Sequence, residues 1–487
     1  MTETIPHWLS KQANLAPDHP AIELEDGTKL TFLELQHKSK LFAKKLAAME
    51  IRKGSHVGIL STNDVKMIIA IHALSYIGAV AVLLNTRLTS EELNYQLEDA
   101  KVSVLLTSDE QLSKAEPLHA HKKKSFTDVE NMKEANVELV SELHLDDTFT
   151  IIYTSGTTGF PKGVQHTYGN HWWSAIGSAL NLGLLKDDKW LAVLPMFHVG
   201  GLSIYIKSAI YGMPVLLFEK FDDEKVHQAI MHRGVTMISV VTVMVQRLIE
   251  KLGDKVYPKE FRCMLLGGGP APKSLLETAK EKHIPIFQSY GMTETSSQIA
   301  TLSPHDALEK IGSSGKPLVP AQLRIIHPDQ DNIGEIAVKG PMVTKGYFHN
   351  QDATKKSFQD EWLLTGDLGY LDDDGFLYVV DRRKDLIISG GENIYPSEIE
   401  SVLSAMNGIK EIGIVGKQDG TWGQVPIAFI VSNNELTKEE IYQFAEKRLA
   451  KYKIPKEVYF VDALPRNASN KLVRNKLLST INRRSDS

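Results

Sequence analysis

Cysteine is almost absent: Cys263 is the only one in 487 residues. No intrachain disulfide can form, and no Cys cluster is available to a structural zinc. The 17 histidines are scattered without metal-ligand spacing. A hard cation held by carboxylate and phosphate oxygens stays open. No sign of charge dominates. A net charge of −5 gives no bulk attraction for nucleic acid, although a local basic patch stays open. No leader is visible, because Met1–Pro20 carries Glu3, Lys11 and Asp18 and has no apolar run. Long apolar runs reduce to Met67–Leu84, which is long enough to span a bilayer. Gly78 splits it, and it reads better as a buried helix over 64–77, a glycine turn and a buried strand over 79–84. No integral membrane segment is expected, and the cytoplasm is the expected compartment. Repeats and low-complexity tracts are missing too. So is the Walker phosphate loop, which needs Gly-Lys followed by Ser or Thr. Here Pro161-Lys162 is followed by Gly163, which argues against a P-loop kinase.

What is present is a soluble-type composition, 42% hydrophobic and 24% charged, on a chain too long for one ordinary domain. Over the first two thirds, buried-strand patterns (57–60, 79–84, 102–107, 149–153, 190–194, 214–218, 237–241, 263–266, 286–288) alternate with helical ones (64–77, 89–100). Thr89 and Glu92 form a capping box for the second of these helices. Such a rhythm predicts an α/β fold of mainly parallel sheets with flanking helices. From about Ser313 short alternating segments (323–326, 334–338) and a hairpin turning at Asp374-Gly375 predict a β-rich subdomain. A charge run at 381–385 leads into a small α/β region. There Pro396 opens a helix to about Met406, and Thr437 with Glu440 caps a helix whose apolar face holds Ile441, Phe444, Ala445 and Leu449. The expected organisation is a large N-terminal domain 1–380, a hinge 381–384 and a small C-terminal domain 385–487.

The chemistry concentrates where strands end. Thr154, Ser155, Gly156, Thr157, Thr158 and Gly159 follow a β-branched and aromatic strand, and Lys162 follows them. Backbone N–H groups, hydroxyls and one ammonium in such a loop suit phosphate oxygens. Gly267-Gly268-Gly269 and Ser289–Glu294 also fall at predicted strand ends, where ligands bind in parallel sheets. Further motifs are Leu194–Leu202 (LPMFHVGGL), Gln288–Ser296 (QSYGMTETS), Trp362–Gly369 (WLLTGDLG), Asp381–Glu400 (DRRKDLIISGGENIYPSEIE) and Pro465–Leu472 (PRNASNKL).

In this order, and over nearly the whole chain, these motifs resemble the adenylate-forming superfamily of acyl-CoA synthetases, peptide-synthetase adenylation domains and firefly luciferase. The stretches Gly163–Gly183 and His198–Ser203 are similar to the branch that activates 2-succinylbenzoate for menaquinone biosynthesis. The resemblance implies two half-reactions. A carboxylate attacks the α-phosphate of ATP, releasing pyrophosphate, and the thiol of CoA then displaces AMP. It implies Thr154–Gly159 and Lys162 at the phosphates and Thr293 at the α-phosphate. It implies Glu294 as the Mg²⁺-associated acid. Tyr290, Gly268 and Gly269 would lie beside adenine, Asp367 would hold the ribose hydroxyls, and Arg382 would reach ribose or phosphate. Lys471 would be the catalytic lysine bridging carboxylate and α-phosphate. Lys384 would be the hinge of a C-terminal domain that rotates between half-reactions, and Ser389, Gly390 and Gly391 would line the CoA channel. The acyl substrate would meet His198, a gate residue with a catalytic role, together with Ser203, Lys207, Thr242 and Gly291. ATP, Mg²⁺, CoA and a small carboxylic acid are thus the expected ligands, and a homo-oligomer stays open.

Other readings of the same fold are a CoA ligase for another aromatic or medium-chain acid and a carrier-protein-loading enzyme. No fused carrier domain is seen, and no residue is named for a luciferase-like oxidation. A non-catalytic nucleotide-binding regulator would be expected to lose Lys471 or Glu294, and both are present. Lys207 is the oddity, because it stands in an otherwise apolar or small stretch, 201–211. On a helix it shares a face with Ser203. Either its stem carries the ammonium out to solvent, or it pairs with a second carboxylate, which 2-succinylbenzoate has and a fatty acid lacks.

Overall fold

The computed structural model describes residues 3–154, 160–268, 271, 273–303, 305–306, 309–328, 332–382, 385, 387–394, 396–432, 436–465, 472 and 474–478. The chain divides into two compact units. The first comprises Met1–Thr86, Leu97–Tyr153 and Gly163–Val380, and the second comprises Arg87–Gln96, Thr154–Lys162 and Asp381–Ser487.

In the first unit the centre of one sheet is Val80–Leu84, His56–Leu60 and Val104–Thr107, with Thr148–Thr154 beside Val80–Leu84 and Lys122–Ser125 at the far edge, all parallel to their neighbours. A second, nine-stranded sheet runs in the order Lys316–Pro317, Ser297–Thr301, Ile286–Met292, Cys263–Leu266, Met237–Val240, Trp190–Ala192, Val215–Leu217, Pro20–Leu24, Lys29–Thr31. Its interior pairings are parallel and its outer ones antiparallel. Helix Val65–Ile77 is buried along most of its length, which parallel sheets covered on both faces require. It begins at Asp64, whose carboxylate accepts the N–H of Lys66, and it stops at Gly78 in a left-handed conformation. The apolar run at 67–84 is thus a buried helix and strand. Among the described residues no helix is long and apolar enough to cross a membrane. A third, antiparallel sheet holds Gln322–Ile326, Gly334–Lys339, Trp362–Leu371, Phe358–Gln359 and Leu377–Arg382. This is the expected β-rich subdomain, and its hairpin turns through Asp372–Phe376.

The second unit has its own core of Ile387, Ile399, Ile414, Ala428, Ile441 and neighbours. Its sheet pairs Ile409–Asp419 with Gly423–Ser432 and adds Glu457–Phe460. Thr437 and Glu440 form the reciprocal cap expected of them.

Several boundaries move for physical reasons. The strand expected over 190–194 stops at Ala192 and the one over 214–218 narrows to Val215–Leu217. Buried Asn63 takes the carbonyls of Leu194 and Phe218 on its Nδ2 at 3.0 and 3.3 Å. Those carbonyls therefore serve a side chain. The strand expected over 286–288 continues to Met292, because Ser297–Thr301 returns antiparallel and supplies partners to Ser289–Met292.

Candidate active site

Three neighbouring parallel strands set one edge of the large sheet. Val240 pairs with Leu266, and Leu266 with Gln288. The parallel pairing therefore ends at three adjacent points, with Thr242, Gly267-Gly268 and Ser289-Tyr290 just beyond it. Gly267 N–H donates to Val240 O at 3.1 Å and Ser289 Oγ donates to Leu266 O at 3.0 Å, which binds the three points together. Trp190–Ala192 lies next to Met237–Val240 and adds the 194–198 loop to the same edge. Asn63 Oδ1 accepts the N–H of Met196 at 2.9 Å and fixes that loop. His198 caps helix Val199–Tyr211 with its backbone.

Tyr290 and Asp367 are both buried, and the Tyr290 hydroxyl donates to Asp367 Oδ2 at 2.8 Å. The expected adenine face and ribose acceptor thus touch, although one lies on the nine-stranded sheet and the other on Trp362–Leu371. Just beyond Tyr290 the chain makes the turn Thr293–Thr295. Glu294 is buried, its carboxylate accepts the Tyr347 hydroxyl at 2.9 Å, and its carbonyl accepts Thr344 N–H at 2.7 Å. A buried carboxylate is a hard oxygen donor of the kind that suits Mg²⁺. Among the described residues no group of three or more His, Cys, Asp or Glu could hold a metal.

The residues expected at the acyl end centre on Lys207. It is only 2% exposed, so the solvent-reaching alternative fails. Helix Val199–Tyr211 is buried along most of its length, which leaves a lysine stem no route outward. Lys207 Nζ donates to Gln298 Oε1 at 3.1 Å and sits 5.5 Å from the Trp190 ring centroid. Burial pushes its pKa down to about 7. Gln298 lies opposite Gly291 across the antiparallel pair, so the two expected acyl residues Lys207 and Gly291 meet through it. Ser203 is buried one turn before Lys207 on the same helix, with its hydroxyl on Gly200 O at 3.2 Å.

In the second unit, Gly390 and Gly391 form the tight turn between Ile387–Ser389 and Glu392–Ile394, with φ of 56° and 84°. Two successive positive φ values are the reason for two glycines. The Gly390 N–H donates to Trp422 O at 2.9 Å. Glu392 pairs with Arg87, and buried Lys453 bridges Glu92 at 2.8 Å and Glu398 at 2.6 Å. Thr154 closes the strand Thr148–Thr154, and Lys162 opens Lys162–Thr167. Ser155, Gly156, Thr157, Thr158, Gly159, Gly269, Lys384 and Lys471 lie outside the described residues, as does the side chain of Arg382.

Sequence reasoning missed Tyr347 and Gln298. Neither lies in a motif, and each is placed by a contact between segments far apart in the chain.

Residues 9–348 match the AMP-binding enzyme family and residues 398–471 the AMP-binding enzyme C-terminal domain. The chain is 60% identical to 2-succinylbenzoate–CoA ligase of Oceanobacillus iheyensis, over 98% of this chain and 100% of that protein. It is 56% identical to the ligase of the same name from Bacillus cytotoxicus, covering 98% of both. Among solved structures, o-succinylbenzoate CoA synthetase of Bacillus subtilis bound with its product analogue, as a double mutant, aligns with a TM-score of 0.93 at 48% identity, covering 98% of both chains. The same enzyme in complex with its acyl-adenylate intermediate aligns at 0.76 and 48% identity, again covering 98% of both. In complex with ATP and magnesium ion it aligns at 0.75 and 47% identity, over 98% of this chain and 100% of that one. With the first match spanning more than half of its length, the chain belongs to the AMP-binding enzyme family.

Proposed function

We infer that the chain is an AMP-forming acid–thiol ligase that joins 2-succinylbenzoate to CoA through an acyl-adenylate, a step of menaquinone biosynthesis. One carboxylate of the substrate attacks the α-phosphorus of ATP, and pyrophosphate leaves. The CoA thiol, losing its proton, then attacks the acyl carbon, and AMP leaves with the electron pair. ATP and CoA as co-substrates fit a cytoplasmic enzyme.

The residue roles are those the motifs' resemblance implies, and the Tyr290–Asp367 hydrogen bond supports two of them. Tyr290 and the thin Gly267-Gly268 exit flank the adenine, and Asp367 accepts from the ribose while its other oxygen is held by Tyr290. Thr154–Gly159 and Lys162 receive the departing pyrophosphate. Thr293 donates to the α-phosphate, and Glu294 holds Mg²⁺, which when bound neutralises charge on the phosphate oxygens. Lys471 bridges the attacking carboxylate and the α-phosphate. Ser389, Gly390 and Gly391 border the path of the CoA thiol, and Lys384 is the pivot between the two half-reactions. His198 closes over the acyl group, with Ser203, Thr242 and Gly291 beside it.

The single observation that carries the choice of acid is the buried Lys207 ammonium, whose hydrogen bond goes to a neutral amide. A dicarboxylate supplies the missing anion after one carboxylate has been spent on the adenylate. The test is pyrophosphate release with a panel of acids, with and without CoA. 2-Succinylbenzoate should turn over well above benzoate, phenylpropionate and medium-chain acids, and CoA should yield its thioester. Higher turnover of a monocarboxylic acid would pass the assignment to another acyl-CoA synthetase. Transfer to a carrier protein in preference to CoA would make it a loading enzyme.

A further inference from the structure

Behind the Thr293–Thr295 turn lies a line of buried polar side chains to which the proposed chemistry gives no role. His166 Nε2 lies 2.6 Å from the carbonyl oxygen of Thr293. A carbonyl only accepts, so Nε2 carries the hydrogen and Nδ1 is an acceptor. Thr150 Oγ1 is 3.2 Å from that Nδ1 and donates to it. With its one proton spent, Thr150 Oγ1 accepts from His171 Nε2 at 2.9 Å. The donors therefore run one way, from His171 through Thr150 and His166 to Thr293, and this order assigns both tautomers. Burial pushes the His166 pKa down to about 4 and that of His171 well below its usual value. Both rings are neutral near pH 7, as the order of donors requires.

The turn that receives this line is under strain. Ser296 and Ser297 hold φ of 55° and 111°, in the region that favours glycine. Strain of this kind persists only where surrounding contacts over-determine it. Ser174 Oγ donates to Ser296 O at 2.8 Å, and Ser296 Oγ donates to Met342 O at 2.9 Å. His166 reaches the first residue of the turn, at the peptide joining Thr293 to Glu294.

We propose that His166, oriented by Thr150 and His171, is a positioning residue for adenylate formation: it fixes the Thr293–Glu294 peptide and so aims the hydroxyl and the carboxylate at the α-phosphate and its metal. The proposal rests on the roles given to Thr293 and Glu294 under the proposed function. His166→Met fills the volume without a donor, whereas the Nε2 of His166→Gln can still donate to Thr293 O. With His166→Met, kcat for pyrophosphate release should fall about 10–100-fold, the cost of a lost buried hydrogen bond felt in the transition state. KM for ATP should change little, and thioester formation from synthetic acyl-adenylate should stay within about threefold. His166→Gln should recover most of the loss. Thr150→Val, nearly isosteric, removes only the middle hydroxyl and should lower adenylation in the same selective way, so the proposal is testable even if His166→Met fails to fold. Equal loss from Met and Gln, or equal loss of both half-reactions, would assign His166 to packing and overturn the proposal. So would wild-type adenylation in both His166→Met and Thr150→Val. Glu294→Gln, run alongside, identifies the other failure: if it keeps full adenylation, the roles of Thr293 and Glu294 fall, and the positioning proposal falls with them.

Discussion

A buried ammonium hydrogen-bonded to an amide costs the folded enzyme stability until an anion arrives. Lys207 is in that position, with its pKa lowered to about 7 by burial. The unfolded chain keeps this proton up to about pH 10.4, whereas the folded protein gives it up near 7. The cost is therefore fully present below pH 7 and fades as pH rises towards 10. Lys207→Met should stabilise the ligand-free enzyme at pH 7 by roughly 1–4 kcal/mol, the range for replacing buried charged groups by apolar ones. The gain should shrink at pH 10, and urea unfolding at the two pH values measures it. The same substitution should lower kcat/KM for 2-succinylbenzoate about 10–100-fold, the cost of a charge-assisted hydrogen bond. An analogue with one carboxylate removed should be nearly unaffected. Equal losses for the two compounds would reduce Lys207 to a packing residue.

At the scale of elements, the strand–turn–strand over Ile286–Thr301 carries most of the candidate site, and it closes tightly at Gly291. A Cβ there would lie 1.9 Å from Ser297 O, and that atom is backbone, so no rotamer change relieves the clash. Gly291→Ala should separate the two strands, lower the melting temperature and impair adenylation and acyl binding together. A variant as stable as the parent would show that the turn can slide. Much of the fold is legible in the sequence: the parallel α/β rhythm, the caps at Thr89 and Thr437, and the exit at Gly267 all come from local pattern. The illegible remainder is non-local. Ser289-Tyr-Gly-Met292 has turn chemistry and becomes strand only because Ser297–Thr301 returns beside it. Lys122–Ser125 carries three lysines and no alternation, yet pairs with Val104–Thr107 as an edge strand, where charge blocks further pairing. The Tyr347–Glu294 and His166–Thr293 contacts join residues 53 and 127 positions apart, and no period in the sequence announces them. Lys207 is ambiguous in sequence because its solvent access depends on what covers its helix.

At the scale of the whole molecule, the buried histidines set the acid limit. His7, His72, His166 and His171 all have pKa values lowered by burial, to about 4 for His72 and His166. Between pH 6.5 and 4 the unfolded chain binds protons that the folded protein refuses, so stability is full above 6.5 and falls with pH through that window. For His72 and His166 the loss is on the order of 3 kcal/mol each, comparable with half of a typical domain's stability. Tryptophan fluorescence monitored from pH 7 downward should show unfolding that begins near pH 6 and is complete by about 4. Unchanged urea resistance at pH 4.5 would contradict it.

The order of strands in the large sheet also has a consequence for synthesis. Pro20–Leu24 takes Val215–Leu217 as its parallel neighbour, roughly 190 residues later in the chain. At ribosomal speeds of about 5–20 residues per second, that partner leaves the exit tunnel on the order of 10–40 s after the strand does. Lys29–Thr31 can cover one edge of Pro20–Leu24 at once as a hairpin, but the other edge waits with its N–H and C=O groups open. The nascent chain therefore passes through a long interval as a target for strand-binding chaperones and for its own neighbours on a polysome.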